Sequence, residues 1–203
     1  MANLAQSLTA QGAARYDEAA DLLHGALAIQ ERVHGRVHPR VAFILNELGN
    51  LEYRRNRFGD AETAFSRTVE IYRAAYGNKS YRVAVALANL GSVFIAREEY
   101  ARAEPLLREA IDLYGVVLSP DHFNTAVARI KLGHLLVREQ RYAEAEPHLL
   151  AGYGILTKQA TPSPTWLKTA RTDLATIYEQ ARQPEKAEKF RAELLTAAAT
   201  PAK

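Results

Sequence analysis

The chain has 203 residues, 48% apolar and 24% charged, the make-up of a globular protein. Its 26 basic residues against 23 acidic ones leave a net +3, too even a balance to point to nucleic acid, and the lack of Cys excludes disulfides, thiol catalysis and Cys-bound zinc. No apolar run nears the roughly 18–20 residues of a membrane span, and Met1 to Ala10 lacks the basic start and apolar core of a signal peptide.

Ala and Leu supply 36 and 24 residues, so helix is the expected element throughout. Taken in chain order, the helices repeat with a period of 42. Tyr16, Phe58, Tyr100 and Tyr142 are 42 apart, and the next step lands on Pro184. Three residues after each sits Ala19, Ala61, Ala103, Ala145 or Ala187. Ten residues before the last four sit Leu48, Leu90, Leu132 and Leu174, followed by Gly49, Gly91, Gly133 and Ala175. In the second repeat Leu45, Leu48 and Leu51 share a helix face. Beyond the Arg57–Asp60 turn, Ala61, Phe65, Val69 and Tyr72 share another. Each period therefore holds two amphipathic helices, A and B, with breakers between periods at Gly35–Pro39, Gly77–Ser80, Ser119–Asp121 and Pro162–Pro164.

The small residues predict a close approach, with Gly49 against Ala61, Gly91 against Ala103 and Gly133 against Ala145. Pro105 and Pro147, also 42 apart, are expected in the first turn of helix B, where no N–H is missed. In repeat 1, Leu4-Ala5 stands twelve residues before Tyr16, which predicts a two-residue insertion at Ala13-Ala14. Helix A is short there and lacks a polar cap, so residue 1 is expected to be a boundary within a longer natural chain. Repeat 5 carries Glu185, Lys186, Glu188 and Lys189 on a wetter helix B, and the tail Ala197 to Lys203 is expected to fray.

Leu-Gly/Ala in helix A, an aromatic at the turn and Ala in helix B resemble the tetratricopeptide repeat (TPR). Val41-Ala42-Phe43-Ile44-Leu45-Asn46-Glu47-Leu48-Gly49 and Tyr100-Ala101-Arg102-Ala103-Glu104-Pro105-Leu106 are similar to its 42-residue, kinesin-light-chain-like variety. The resemblance implies an all-α, right-handed α-solenoid of about five antiparallel helix pairs. The expected repeats are 1–40, 41–82, 83–124, 125–166 and 167–203, a single array excised from a longer chain. It implies a non-enzymatic, cytoplasmic protein- or peptide-binding scaffold without cofactors. The alternative is a regulatory or oligomerising segment of a larger bacterial signalling enzyme, such as a multidomain Ser/Thr kinase. Self-association is expected, if anywhere, through the terminal repeats; neither nucleic acid nor membrane is an expected partner.

In this family the A helices line a concave groove. Here that face is read as Phe43, Asn46, Glu47, Asn50, Tyr53 and Arg54 in repeat 2, and Val85, Ala88, Asn89, Ser92, Ile95 and Ala96 in repeat 3. Repeat 4 adds Val127, Ile130, Lys131, His134, Val137 and Arg138. Repeat 5 adds Thr169, Thr172, Asp173, Thr176, Glu179 and Gln180. The expected contacts to a peptide are Asn46, Asn50, Tyr53, Arg54, Asn89, Ser92, Lys131, His134 and Arg138, since Asn offers a donor and an acceptor to a backbone. Asn50, Asn89 and Lys131 fall on three positions of a chaperone-type carboxylate clamp. Asn46 and Val127 stand where its lysines belong, which favours a general backbone grip. No phosphate loop, metalloprotease helix or nucleophile elbow is present. His34, His38 and His122 are read as turn chemistry rather than metal ligands, Asn78-Lys79-Ser80 as a polar turn, and Arg54, Arg55 and Arg57 as a solvated helix end.

Overall fold

The computed structural model describes residues 1–199. Ten α-helices and no strand occur among the described residues. They are α1 (Ala2–Ala10), α2 (Tyr16–His34), α3 (Pro39–Arg54), α4 (Phe58–Tyr76), α5 (Tyr81–Ala96), α6 (Tyr100–Val117), α7 (Phe123–Arg138), α8 (Tyr142–Thr157), α9 (Pro164–Gln180) and α10 (Pro184–Ala199). Odd-numbered helices are A helices and even-numbered ones B helices. The chain divides into two compact units, residues 1–117 with α1–α6 and residues 118 onward with α7–α10. Each helix A packs on the helix B that follows it. Within the first unit α2 also packs on α3 and α4 on α5; within the second, α8 and α7 both pack on α9.

The 42-residue marks fall at helix starts. Tyr16, Phe58, Tyr100, Tyr142 and Pro184 are each the first residue of a helix B, one step later than a turn position. A proline fits that first position because its N–H has no intrahelical acceptor. The A helices α3, α5 and α7 are capped by side chains at the same spacing. His38, Ser80 and His122 accept the backbone N–H of Arg40, Arg82 and Asn124 at 3.2, 3.2 and 3.1 Å. This is the turn chemistry expected of the two histidines, and it places Ser80 of the Asn78-Lys79-Ser80 turn in the same role.

Each A–B turn closes on a residue in the left-handed region: Asn56, Glu98, Gln140 and Arg182, with φ between 56° and 61°. The N–H after each reaches back to the carbonyl five residues earlier, as Arg57 to Glu52 at 2.9 Å and Arg141 to Leu136 at 2.8 Å. These bonds satisfy helix-end carbonyls. In repeat 1, Gly12 (φ 106°) precedes a short 3₁₀ turn, Ala13–Arg15, where the insertion was expected.

Two expectations need correction. A methyl group at Gly133 would lie 2.5 Å from Leu149 Cγ and 3.3 Å from the Ala145 carbonyl. One at Gly91 would lie 3.0 Å from Leu107 Cγ, and one at Gly49 2.7 Å from the Phe65 ring. The tightest neighbour of each glycine is therefore the residue four beyond the alanine, one helical turn on; the alanine backbone itself also meets Gly91, at 3.6 Å, and Gly133. Pro105 and Pro147 lie at the sixth residue of α6 and α8, past the first turn. Both are exposed. The proline removes one intrahelical bond, leaving the carbonyls of Ala101 and Ala143, also exposed positions, to water. Of the tail, Ala197 to Ala199 belong to α10, and residues 200–203 lie outside the described residues.

Gly133 and Gly154 form a matched pair within the α7–α8 hairpin. Open space surrounds the Cβ position at Gly154, so Gly154→Ala should stabilise by about 0.5–1 kcal/mol through helix propensity. Gly133→Ala gains the same propensity but drives into Leu149, and should lose about 1–3 kcal/mol net. Urea midpoints of the two variants should move in opposite directions; parallel shifts would contradict the packing.

Candidate functional site

In the first unit the face read from the sequence is, apart from Ala88, the part of α3 and α5 left uncovered. Val41, Ala42, Ile44, Leu45, Leu48 and Leu51 are buried, whereas Asn46, Glu47, Asn50 and Tyr53 are half-buried and Phe43 and Arg54 exposed. On α5, Asn89 and Ser92 are half-buried among buried Val83, Leu87, Leu90 and Val93. Asn89 Nδ2 donates to Asn46 Oδ1 at 3.1 Å, and Asn46 Nδ2 donates to Glu47 Oε1 at 3.3 Å. Consecutive A helices are thus joined by a chain of amides. Ser92 Oγ donates to its own helix, at the Ala88 carbonyl, 2.8 Å away.

Asn50 is different. It makes no side-chain hydrogen bond among the described residues, and its whole carboxamide stays available at a half-buried position. One turn along the same helix stand Tyr53 and Arg54. The Tyr53 ring packs 5.6 Å from that of Phe58. Burial pushes its hydroxyl above the ordinary phenol value, which keeps it a proton donor. Arg54 has no ion-pair partner among the described residues. Its neighbours in sequence do. Arg55 binds Asp17 at 2.6 Å and Glu52 at 3.3 Å, and Arg57 stands 3.7 Å from Glu52. The arginine cluster is therefore partly neutralised rather than a bare cationic patch.

The second unit brings together different chemistry. His134 Nδ1 and Asp173 Oδ2 meet at 2.9 Å, joining α7 to α9. Asp173, read as groove-facing, is only 5% exposed and serves this bond. Lys131 Nζ lies 5.4 Å from the centre of the Trp166 ring, within reach of a cation–π attraction. Burial alone lowers its pKa to about 8. Arg138 is exposed at the end of α7. Three more residues of the expected face are covered. Ile130 is 0%, Ala88 6% and Val137 9% exposed. Ile130 turns inward because Gly152 of α8 makes room for it; a methyl group there would lie 2.6 Å from Ile130 Cγ1.

Three overlapping matches to the family model described as tetratricopeptide repeat cover residues 1–74, 46–115 and 82–158. The chain belongs to the tetratricopeptide repeat family. Comparison with curated proteins returns no match. Among solved structures, the TPR chain is similar to BtubC (BKLC) from P. vanneervenii. The TM-score is 0.83 at 20% identity, covering 98% of this chain and 82% of that one. It is also similar to a putative kinesin light chain of nearly identical TPR-like repeats from Podospora anserina. There the TM-score is 0.76 at 19% identity, with 97% and 92% covered. A third is YrrB, described as a TPR protein with an unusual peptide-binding site, at TM-score 0.57 and 19% identity, with 97% and 84% covered. At these identities the likeness establishes the fold, a repeat architecture that ordinarily serves as a non-catalytic interaction scaffold. No described helix is long and apolar enough to cross a membrane.

Trp166 is the single tryptophan and reports on Lys131. Its fluorescence should titrate with a midpoint near pH 8, and Lys131→Met should abolish that step. Because the folded pKa lies below the unfolded one, the unfolded chain binds more protons between about pH 8 and the ordinary lysine value near 10.4. The Lys131 contribution should make stability rise with pH across that window and stay level below it. A Lys131→Met variant with the same pH slope as the parent would contradict the assignment.

Proposed function

We propose that the TPR chain is a protein- or peptide-binding scaffold that grips its partner along the exposed faces of its A helices. In the first unit the grip is Asn50, with Tyr53 and Arg54 beside it and Asn46, Asn89 and Ser92 along the same face. In the second unit Lys131, His134 and Arg138 supply cationic and donor groups. The observation that carries this reading is the Asn50 carboxamide, half-buried and unbonded. A peptide group presents one N–H and one C=O, and a free carboxamide matches both. Asn46 and Asn89 act through position: bonded to each other, they hold α3 and α5 in register beside Asn50. A protein of the same fold, YrrB, is described as having a peptide-binding site, which supports peptide as the class of partner.

Panning a random peptide library on the immobilised chain, then measuring the selected peptide by calorimetry, tests this directly. Asn50→Ala should weaken binding by roughly tenfold, since a buried group left without its bond costs about 1–3 kcal/mol. The helical spectrum should not change. Asn89→Ala should weaken it less, by loosening Asn46. If Asn50→Ala binds at full strength and the peptide slows amide exchange in α2, α4 and α6 instead, the A-helix reading is wrong.

A further inference from the structure

The repeats fill one recurrent position in different ways. Glu52, Phe94, Leu136 and Tyr178 are 42 apart, near the end of each helix A, and are 7%, 4%, 0% and 5% exposed. Asp60, Arg102, Glu144 and Lys186 are likewise 42 apart, in the first turn of each helix B. Where the first position is aromatic, the second is a cation lying on it. The Arg102 guanidinium sits 3.9 Å from the centre of the Phe94 ring, and Lys186 Nζ sits 5.0 Å from that of Tyr178. Arg102 is further held by Glu62 and Glu99, each at 2.6 Å. Where the first position is Leu136, the second is Glu144, bound at 2.8 Å by Arg141.

Repeat 2 follows neither pattern. Its buried position is Glu52 and its rim position Asp60, so the rim position supplies an acid in place of a cation. The counterpart of Glu62 one period earlier is Ala20, whose methyl group cannot reach in. A cleft of about 350 Å³ is open there between α2 and α4. Leu27, Leu45, Leu48 and Ala64 wall it, with Glu52 and Asp60 among its polar lining. Glu52 Oε1 accepts from Arg55, but Oε2 is buried and accepts no hydrogen bond. Arg57 stands 3.7 Å from Oε2, with 55% of its side chain exposed. Asp60 has no ion-pair partner among the described residues. Arg67, which also lines the cleft, is committed to Glu31. A buried carboxylate oxygen without a donor is costly; Arg55 answers Oε1 alone, and Oε2 and Asp60 face the cleft with only the loosely held Arg57 near Oε2.

We propose that this cleft is a seat for an arginine side chain of a partner protein. The guanidinium binds Glu52 Oε2 and Asp60, and the aliphatic stem lies against Leu27, Leu45 and Leu48. The partner supplies in repeat 2 the cation that Arg102 and Lys186 supply in repeats 3 and 5. The α3 residues of the cleft, Leu45, Leu48 and Glu52, belong to the buried side of that helix and not to the half-buried strip of Asn46, Asn50 and Tyr53 assigned to the peptide grip, so the two readings fail separately.

The test is an NMR titration of the whole chain with acetyl-Gly-Arg-Gly-amide. The controls are the same peptide carrying citrulline, a neutral isostere, and N-methylguanidinium chloride alone. The arginine peptide should shift the amides of Leu48, Thr63 and Ala64 saturably, and the shifts should weaken with added salt. The citrulline peptide should bind at least tenfold more weakly. Glu52→Gln should cost at least tenfold in affinity. The double variant Glu52→Phe/Asp60→Arg, which copies the pair of repeat 3, should fill the seat from within and abolish the shifts while raising the melting temperature. Equal binding of the citrulline peptide, or full affinity in Glu52→Gln, would overturn the proposal. Should Glu52→Gln not fold, Asp60→Asn on the exposed rim takes its place: lost affinity supports the seat, and full affinity overturns it. N-methylguanidinium binding as tightly as the peptide would replace the partner side chain by a free small cation and overturn the assignment to a protein.

Discussion

The contact on which the three central hairpins depend is that of a helix A glycine with the side chain sixteen residues later. Gly49 meets Phe65 and Gly133 meets Leu149 at distances that leave no room for a methyl group, and Gly91 meets Leu107 so closely that a methyl group would push the leucine aside. With a Cβ in the way, helix A would stand off from helix B and the buried row behind it would lose contact. Phe65, Leu107 and Leu149 are 2%, 0% and 0% exposed. Their burial removes large apolar surface from water, worth roughly 1.5–3 kcal/mol for each side chain. The last hairpin shows what happens when the plug is absent. The counterpart of Gly133 is Ala175, and sixteen residues on stands Arg191, whose guanidinium leaves the interface for Glu179 at 2.5 Å. There Phe190 takes over, packed between Tyr153 and Tyr178.

A tight hairpin also needs a tight turn, and this one carries a conformational cost. Four residues with side chains, Asn56, Glu98, Gln140 and Arg182, hold φ near +60°. That geometry costs an L-residue about 1–2 kcal/mol. The return includes the two backbone bonds that close each turn, such as Gln140 to Val137 at 2.9 Å and Arg141 to Leu136 at 2.8 Å. The left-handed residue of each turn was invisible in the sequence, because the usual glycine mark is missing from all four. The repeat itself was legible because packing restricts it. Gly stands opposite each plug and Ala takes its place where the plug is absent, while Ala fills positions 19, 61, 103, 145 and 187, all 0% exposed. The caps at His38 and His122 were half-legible: their spacing singled them out, but a ring nitrogen that caps a helix has no separate sequence mark.

The candidate site was legible as a set of positions and not as a set of bonds. Helical periodicity places Asn46, Asn50, Tyr53 and Arg54 on one strip of α3, where they are found uncovered. Periodicity says nothing about which amide is already taken. Asn89 and Asn46 looked equivalent to Asn50, yet they bind each other across 43 residues of chain. Ile130 looked equivalent to Asn46 and is fully buried, because a glycine outside the 42-residue register, Gly152, admits it to the interface. Lys131 and Trp166 sit 35 residues apart, at unrelated repeat positions, so their pairing could come only from the fold.

Repetition itself separates structural residues from functional ones in this chain. With one backbone geometry offered several times, each copy becomes a control for the others. A position filled alike in every copy, as with Ala61, Ala103 and Ala145, reports what the fold demands. A position that varies while staying buried reports something else. Phe94, Leu136 and Tyr178 satisfy the same site with apolar bulk, so burial there does not require a carboxylate. Glu52 therefore bears a desolvation cost that the hairpin could have avoided with Leu or Phe. Replacing a buried charge by an apolar residue of similar size is often neutral or stabilising. The pair with Arg55 accounts for one oxygen of the carboxylate, and the open cleft beside the other, with Asp60 at its rim, accounts for the second.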